Sequence, residues 1–492
     1  MVLHAELFAQ TESLLRAGRI AAAVALLREV PPRAVPREHA ARFANLCRRV
    51  GLVMRGLRTL APVVRGESGV KDGAPRPEEW AEYAVLLQRS GAVQEALRIW
   101  GSREMKNAPG FGLQRALCHF NIWEHDRAIV PLNEALRDAA KDYDRLVIRV
   151  NLTAAHLYAG DHPHALKLAR ELRRDLLGTP NQRLLANAME LEAQALTEAG
   201  DFAAAGELLR QALTLLASAA TTDQLFIRKG LAHVESFSTG DEAPLLAFRR
   251  EALAREHFES VRDTDRLLLH LRFDEKRFQY LYFGTPWTAY RERLVRQLNY
   301  EPEESFFQRG PDDAGAALDL GRGEFFRTTG AKPEIVAGGK SLSLLRALGR
   351  DFYKPANGIG LFSEVYVDEN FDPESSMNRV HQLLRRTREL LSEQDLPLWI
   401  EARRPRFRLR WEEELRVFFP RESREIDWEE RQIRLLREQF GAGPLITTAE
   451  VLAALPLTPA QFRRVREWGE NHGWIERVGA GAKSFYRLRK VG

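Results

Sequence analysis

One short pattern recurs through the first half of the chain: a glycine, a small residue five positions later, and then an apolar residue. The copies are spaced by 32 to 40 residues. They are "GRIAAAV" at Gly18, "GLVMRGL" at Gly51, "GAVQEAL" at Gly91, "WEHDRAI" at Trp123, "GDHPHAL" at Gly160, "GDFAAAG" at Gly200 and the looser "GDEAPLL" at Gly240. The pattern predicts pairs of antiparallel helices. Glycine ends the first helix in a left-handed conformation, and the small residue lets the second helix pack closely.

A repeat of this size cannot bury its own apolar face, so neighbouring copies must stack. The pattern resembles the tetratricopeptide (TPR) family, with the longer repeats of some bacterial regulators, over about residues 5–265. Trp123 in place of glycine and Gly206 in place of an apolar residue depart from it. The resemblance implies an array at 1–265 whose groove binds a protein or peptide. It also leaves dimerisation open as the role of the array.

Residues 266–313 follow this array and are dense in aromatic residues and arginine, as in "FDEKRFQYLYFGTPWTAYRERLVRQL". Such a mixture can bind single-stranded nucleic acid. A packed connector, in which "FGTPW" breaks the chain and a helix restarts after it, is the favoured interpretation. The segment is interpreted as a connector without an assigned function.

From about Ala316 the pattern changes to short strands, "ALDLGRGEFFRTTGAKPEIVAG", separated by Gly and Lys-Pro turns. The helix "KSLSLLRALGRD", a turn with a second helix in "FYKPANGIGLFSEVYV", a third helix "RVHQLLRRTRELL" and two strands in "PLWIEARRPRFRLRW" come next. This order resembles the winged-helix output domain of OmpR/PhoB-type response regulators and predicts such a domain at 314–412. The arginine-rich "RRPR" turn and the absence of a phosphoacceptor receiver domain depart from that family.

The third of these helices, Ser375–Leu391, has an apolar stripe that includes Met377, Val380, Leu384, Thr387 and Leu391. We expect Asp372 to cap it and Pro373 to occupy its first position. Its other face is rich in amide and arginine side chains. Side chains of these types are typical of helices that contact DNA bases and phosphates. An ordinary solvated face is the alternative.

The resemblance implies that this helix enters the major groove and that the "RRPR" turn is a wing. The implied DNA contacts are Asn378, Arg379, His381, Gln382, Arg385 and Arg386 on the helix, and Arg403, Arg404 and Arg406 in the wing. The loop "VDENFD" stands where the family touches RNA polymerase, so this contact too is implied by the resemblance alone.

A second winged helix is predicted at 425–492 from three helices and a glycine-rich hairpin, "WIERVGAGAKSFYRLRK". Two capping boxes begin its later helices, Thr447 with Glu450 and Thr458 with Gln461. Candidate DNA contacts are Gln461, Arg463, Arg464, Lys483 and Arg487. Protein–protein contact is the alternative for this domain.

Charge is distributed unevenly. The whole chain has a net charge of +5. Residues 375–410 carry nine Arg against four acids, and residues 431–490 carry eleven Lys and Arg against five acids. The rest of the chain is therefore net acidic. Basic patches of this kind indicate a polyanionic partner.

The sequence gives little support for a disulfide, a nucleotide-binding loop, a calcium site or a membrane segment. Cys47 and Cys118 lie in apolar helical stretches and indicate buried thiols in a reducing compartment. "AGGKS" lacks the glycine that a phosphate loop needs, and "DENFD" lacks the glycine and closing glutamate of a calcium loop. No signal peptide or membrane span is evident. We therefore expect no enzyme activity, no cofactor, no metal site and a cytoplasmic location.

The sequence thus predicts a mainly α protein: a TPR-like α-solenoid followed by two α+β winged-helix domains. The predicted function is a DNA-binding transcriptional regulator that reads duplex DNA with a basic helix and wing, the array acting as sensor or protein-interaction domain. The alternative is a scaffold or adaptor whose winged helices bind proteins.

Overall fold

The computed structural model describes residues 2–66, 73–216, 222–302, 306–311, 314–327, 334–335, 339–367, 369–403, 405–420, 428–441, 443–455, 457–479 and 485–489. The chain forms two compact units, Met1–Arg421 and Glu422–Gly492. In keeping with the predicted fold class, it is mainly helical, with small sheets in the C-terminal region.

Antiparallel helix pairs make up the first part of the larger unit. They are α1 (Val2–Arg16), α2 (Ile20–Glu29), α3 (Arg37–Arg49), α4 (Val53–Val64), α5 (Pro77–Ser90), α6 (Val93–Trp100), α7 (Phe111–Asn121), α8 (His125–Asp138), α9 (Asp142–Ala159), α10 (His162–Leu176), α11 (Gln182–Glu198), α12 (Phe202–Leu215), α13 (Thr222–Thr239), α14 (Ala243–Ala254), α15 (Phe258–Leu271), α16 (Glu275–Phe283) and α17 (Thr288–Leu298), with 3₁₀ turns at Pro32–Ala34 and Arg103–Asn107. Most of these helices pack on their sequence neighbours, as α3 does on α4 and α11 on α12. This part is a TPR-like helical repeat array.

The recurring pattern has the predicted physical basis. The glycines at 18, 51, 91, 160, 200 and 240 all have positive φ, from 69° to 100°. Trp123, in the same position, also has positive φ, at 65°. The small residues five positions on are fully buried alanines in most copies, at 23, 96, 128, 165 and 205. At Gly56 a Cβ would lie 2.9 Å from Leu86 Cδ1, so the helices approach too closely there for a larger residue.

The helices continue past residue 265, because α16 and α17 share a core with α13–α15 through Phe278, Leu281 and Tyr290. The strands and helices that follow are β1 (Phe306–Arg309), β2 (Ala316–Asp319), β3 (Glu324–Arg327), β4 (Glu334–Ile335), α18 (Gly339–Gly349), β5 (Ala356–Asn357), α19 (Gly358–Val365), α20 (Ser376–Glu393), β6 (Leu398–Arg403), β7 (Arg406–Trp411) and β8 (Leu415–Pro420). The segment predicted as a connector therefore ends in a strand, β1.

Two sheets organise this region. The five-stranded sheet has the order β1-β8-β2-β3-β4, in which β8 is antiparallel to β1 and parallel to β2. The three-stranded sheet has the order β5-β7-β6, with antiparallel neighbours. The strand β8 was not predicted and lies beyond the predicted boundary at 412. Burial alternates along β8, with Leu415, Val417 and Phe419 inside, so one face of this strand packs on the core.

One hydrophobic core joins α3–α7 to this region. It contains Leu60 and Leu86 from the array together with Phe362, Leu384 and Val417 from the helices and sheets after residue 306. The array and the α18–α20 region are therefore parts of one packed unit, because each covers apolar surface that the other would expose.

The smaller unit contains α21 (Trp428–Phe440), β9 (Leu445–Thr447), α22 (Thr448–Ala454), α23 (Pro459–Asn471), β10 (Ile475–Val478) and β11 (Phe485–Leu488). Its sheet has the order β10-β11-β9. Both predicted capping boxes are confirmed, at Thr447 with Glu450 and at Thr458 with Gln461. Ile433, Val451, Phe462 and Val465 form its core with Tyr486.

Candidate nucleic-acid interface

The helix α20 has the predicted amphipathic character. Val380, Leu384, Thr387 and Leu391 are buried along one side, with Leu383 beside them. The predicted start of the helix was wrong, because α20 begins at Ser376 and its N-cap is Ser375. Asp372 instead stabilises the turn before it, where its carboxylate accepts hydrogen bonds from Glu374 N–H at 2.9 Å and from Ser375 Oγ at 2.6 Å.

Most of the predicted contact residues on α20 are exposed. The exposed ones are Asn378, His381, Gln382, Arg385 and Arg386. The Arg385 side chain is 72% exposed, and its Nε lies 3.6 Å from Glu389 Oε1, one helical turn away. Such a pair is weak in water. The face therefore presents amide, imidazole and guanidinium donors to solvent.

Arg379 differs from these residues. Its guanidinium forms a bidentate ion pair with Glu369, with one of the two distances at 2.9 Å. It also lies over the Tyr366 ring, 4.2 Å from the ring centroid. The hydrogen bond from Arg379 lowers the pKa of the Glu369 carboxyl. Arg379 thus fastens α20 to the loop before it.

The hairpin of β6 and β7 carries the predicted wing. Arg403 is exposed at its tip and lies 3.0 Å from Glu401. Arg406 pairs with Glu256 of the α14–α15 turn at 2.7 Å and lies over the Phe258 ring. Arg404 lies outside the described residues. The array therefore engages one of the two described wing arginines.

Arg388 connects helix and hairpin, a role that the sequence analysis missed. Its Nε and a terminal nitrogen donate to the carbonyl of Ile400 on β6, at 3.3 and 3.0 Å. The arginine-rich pattern of α20 gives no sign of this role, because Arg388 follows the same charge pattern as its exposed neighbours.

In the smaller unit, the predicted contacts on α23 are exposed: Gln461, Arg463 and Arg464. The Gln461 carboxamide oxygen accepts the Thr458 N–H at 2.7 Å, so capping uses this acceptor. Arg464 pairs with Glu429 of α21. On β11, Arg487 lies 3.3 Å from Glu476, and Lys483 lies outside the described residues.

The loop that the family resemblance assigns to RNA polymerase is not free in this conformation. Phe371 is fully buried, and its backbone bonds to side chains of the array. Because Phe371 is buried against the array, it is not accessible for the expected contact with RNA polymerase. The sequence analysis missed this contact because it joins residues almost three hundred positions apart.

No group of histidine, cysteine and carboxylate side chains among the described residues could hold a metal ion. No helix in the described part of the chain is long and apolar enough to cross a membrane. Cys47 and Cys118 are both buried, and burial raises the pKa of each thiol to about 12.

No family model matches the sequence. No curated protein matches it. Solved structures do match it, at low sequence identity. A tetratricopeptide repeat protein from Parabacteroides merdae is 14% identical, with 60% of this chain and 98% of that chain covered and a TM-score of 0.33. The apo form of RapI is 11% identical over 60% and 94%, with a TM-score of 0.38. A Rap protein complexed with competence and sporulation factor is 12% identical over 60% and 86%, with a TM-score of 0.34. Because each TM-score is below 0.5, none of these likenesses bears on the function of this chain.

Proposed function

We propose that the chain is a DNA-binding transcriptional regulator in which α20 enters the major groove of duplex DNA. The observation that carries this proposal is the exposed face of α20, which bears hydrogen-bond donors. The opposite face of α20 packs into the core shared with the array, whereas this face remains accessible to a partner. The order α18–β5–α19–α20–β6–β7 supports a winged-helix assignment. We assign DNA contact to Asn378, His381, Gln382, Arg385, Arg386 and Arg403.

Arg379 and Arg406 have another role in this proposal. Each pairs with a carboxylate, on the loop before α20 and on the array respectively. They position the helix and the hairpin, and a change at either would alter binding through geometry. In the smaller unit, Arg463 is the candidate that α23 presents for phosphate contact.

The array supplies the protein-interaction domain of this proposal. Stacked helix pairs form extended surfaces that bind peptides or proteins. Contact with RNA polymerase through the loop before α20 requires that Phe371 first leave the array.

The test is a selection of genomic fragments with the purified full chain at near-physiological salt. Three proteins are compared: the wild type, an Arg385→Ala/Arg386→Ala variant, and a control with Arg127→Ala/Arg210→Ala. The control removes the same charge from exposed arginines of the array, 66% and 64% exposed. We expect the wild type and the control to recover one sequence motif that the α20 variant loses. Recovery of the same fragments by all three proteins, or of no motif, would sink the proposal.

A further inference from the structure

The segment Glu369–Glu374, directly before α20, lies against α4–α6 of the array. Its central contact is to the backbone of Phe371. The Phe371 N–H donates to Glu95 Oε2 at 2.8 Å. The Phe371 carbonyl accepts a hydrogen bond from Tyr83 OH at 3.2 Å and another from the Arg65 guanidinium. Both backbone polar groups of Phe371 are thus bound by side chains of the array, from the C-cap of α4, from α5 and from α6.

The three array side chains form a connected cluster. The Arg65 guanidinium lies 3.6 Å from the Glu95 carboxylate and 5.9 Å from the Tyr83 ring centroid. Glu95 and Tyr83 are almost fully buried, at 4% and 1% exposed. Burial is the main cause that raises the pKa of each group, that of Tyr83 to about 12. Buried polar groups are costly unless they are hydrogen-bonded, and the Phe371 backbone supplies their partners.

Charge around the cluster matches the segment. The segment carries three carboxylates and no basic residue. Of these, Glu369 pairs with Arg379 of α20, and Glu374 faces arginines of the array. Arg33 and Arg58 of the array each lie 3.9 Å from the Glu374 carboxylate, and Arg98 lies 3.5 Å from Asn370 Oδ1. These exposed pairs are individually weak. Together, the three arginines form a basic surface around the buried cluster that binds the Phe371 backbone.

The Phe371 side chain provides the apolar part of the contact. It is fully buried and meets the Phe362 ring edge-on at 5.5 Å between centroids. It belongs to the core that also contains Leu60 and Leu86 of the array. An acidic segment with one phenylalanine thus makes three kinds of contact with the array. Its backbone bonds to Arg65, Tyr83 and Glu95, its polar side chains face the surrounding arginines, and its phenylalanine packs into the core.

We propose that Arg65, Tyr83 and Glu95 form a recognition site for an acidic, phenylalanine-containing peptide, and that the chain's own Glu369–Glu374 is its resident ligand. This goes beyond DNA binding and does not depend on it. A second segment of the same chemistry competes for the site in trans. Because α20 begins at Ser376, two residues after this segment, displacement frees the residues that lead into the helix.

The first experiment measures binding of a fluorescently labelled peptide, "VDENFDPES", to the full chain by anisotropy. In the wild type the resident segment blocks the site. We expect the Phe371→Ala variant, which weakens the resident segment, to bind the peptide at least tenfold more tightly than the wild type does. Adding Arg65→Ala to that variant should abolish the gain, and a peptide with alanine for phenylalanine should not bind. A folded Phe371→Ala variant with no gain in peptide affinity would overturn the proposal.

The second experiment remains informative if Phe371→Ala does not fold. Hydrogen exchange of residues 369–375 is compared between the wild type and Tyr83→Phe, which removes one hydroxyl. We expect exchange in this segment to be at least tenfold faster in the variant. Tyr143→Phe, at an exposed tyrosine of α9, is the matched control and should leave exchange unchanged. Equal protection of the segment in Tyr83→Phe and in the wild type would contradict a recognition site in which Tyr83 holds the Phe371 backbone.

Discussion

At the scale of single residues, Trp123 shows how a repeat accommodates an exception. Its φ of 65° is in the left-handed region, where a side chain costs roughly 1–2 kcal/mol. Its indole contacts offset this cost. Trp123 meets Tyr290 edge-on at 4.6 Å and lies 6.2 Å from Trp287, and the Arg293 guanidinium stands over it. The aromatic side chain therefore ties the fourth repeat to α17.

We predict that Trp123→Ala is less stable than Trp123→Gly by about 1 kcal/mol. Both variants lose the indole, but only alanine retains the strain of positive φ. Both should be less stable than the wild type, because half-buried aromatic contacts are lost. Chemical denaturation of the three proteins gives the comparison. Equal stability of the two variants would show that φ at this position carries no cost.

His125 lies next to Trp123 and makes stability depend on pH. It is 6% exposed, and its ring contacts those of Phe120, Trp123 and Tyr158. Burial, followed by the nearby Arg293, lowers its pKa to about 3. The folded state therefore keeps the imidazole neutral, whereas an unfolded histidine gains a proton near pH 6.5. Its contribution is present above about pH 6.5 and is lost as the pH falls toward 3.

We expect protonation of the unfolded state to cost about 2 kcal/mol of stability at pH 5 through this one histidine. His125→Gln removes the titration. The loss of stability between pH 7 and pH 5 should accordingly be smaller in the variant, measured by denaturation at both values. His162→Gln, at a more exposed histidine, is the control. An identical pH dependence in wild type and His125→Gln would exclude His125 as a cause.

At the scale of elements, the capping boxes of the smaller unit have a local cause. Thr458 Oγ1 accepts the Gln461 N–H, and the Gln461 side chain accepts the Thr458 N–H. These bonds satisfy two of the backbone donors that a helix start leaves unpaired. Pro459 then occupies the first position of α23, where no hydrogen bond is needed.

Thr458→Ala should therefore destabilise the smaller unit by about 1 kcal/mol. Thr458→Ser retains the capping oxygen and serves as the control, with no loss of stability expected. The exchange rate of the first amides of α23 is the readout, because fraying there follows directly from the lost cap. Equal exchange in the two variants would mean that the cap does not determine the stability of this helix start.

At the scale of the whole larger unit, Arg262 connects the array to the region after residue 306. It is fully buried on α15 and donates to Asp351 Oδ1, after α18, at 2.6 Å. It also donates to Glu259 Oε2 at 2.6 Å. The rings of Trp287 and Tyr353 flank its guanidinium, at 4.4 and 4.9 Å. The guanidinium is thus removed from solvent and paired with two carboxylates through its terminal nitrogens.

We predict that Arg262→Met lowers the stability of the larger unit by about 3 kcal/mol, because it leaves the Asp351 carboxylate, which is only 15% exposed, without its partner. Arg262→Met combined with Asp351→Asn should lose less than the sum of the two single changes. Arg127→Met, at an exposed arginine, should change stability by no more than about 0.5 kcal/mol. Thermal or chemical unfolding decides between these outcomes. Strict additivity of the pair would show that Arg262 and Asp351 are not coupled.

The proposed DNA binding is tested at the scale of the whole molecule by its dependence on salt. Neutralisation of about six phosphates predicts a slope of about −5 in a plot of log affinity against log salt concentration. The Arg385→Ala/Arg386→Ala variant should have a shallower slope, by about 2. Titration of a duplex at several salt concentrations tests both values. A slope near zero for the wild type would argue against a phosphate-contacting surface.

Local features were the ones that sequence reasoning could determine. The glycine pattern, the capping boxes at Thr447 and Thr458, and the buried stripe of α20 all depend on residues within a few positions of one another. Periodicity and backbone propensity act over that range, so one sequence is enough to predict them. The start of α20 was misplaced because Asp372 and Ser375 are both good capping residues, and only backbone geometry chooses between them.

Only the tertiary structure decided which charged and apolar residues form contacts within the protein and which remain exposed to solvent. Arg379 and Arg385 look alike in the sequence, yet one pairs with Glu369 and lies on an aromatic ring while the other faces solvent. Phe371 reads as part of an exposed acidic loop, but a hydrogen bond joins it to Arg65, 306 positions away. The reason is physical: burial depends on which surfaces meet after the chain has closed its long loops. One sequence pattern is compatible with many such pairings, and packing selects among them.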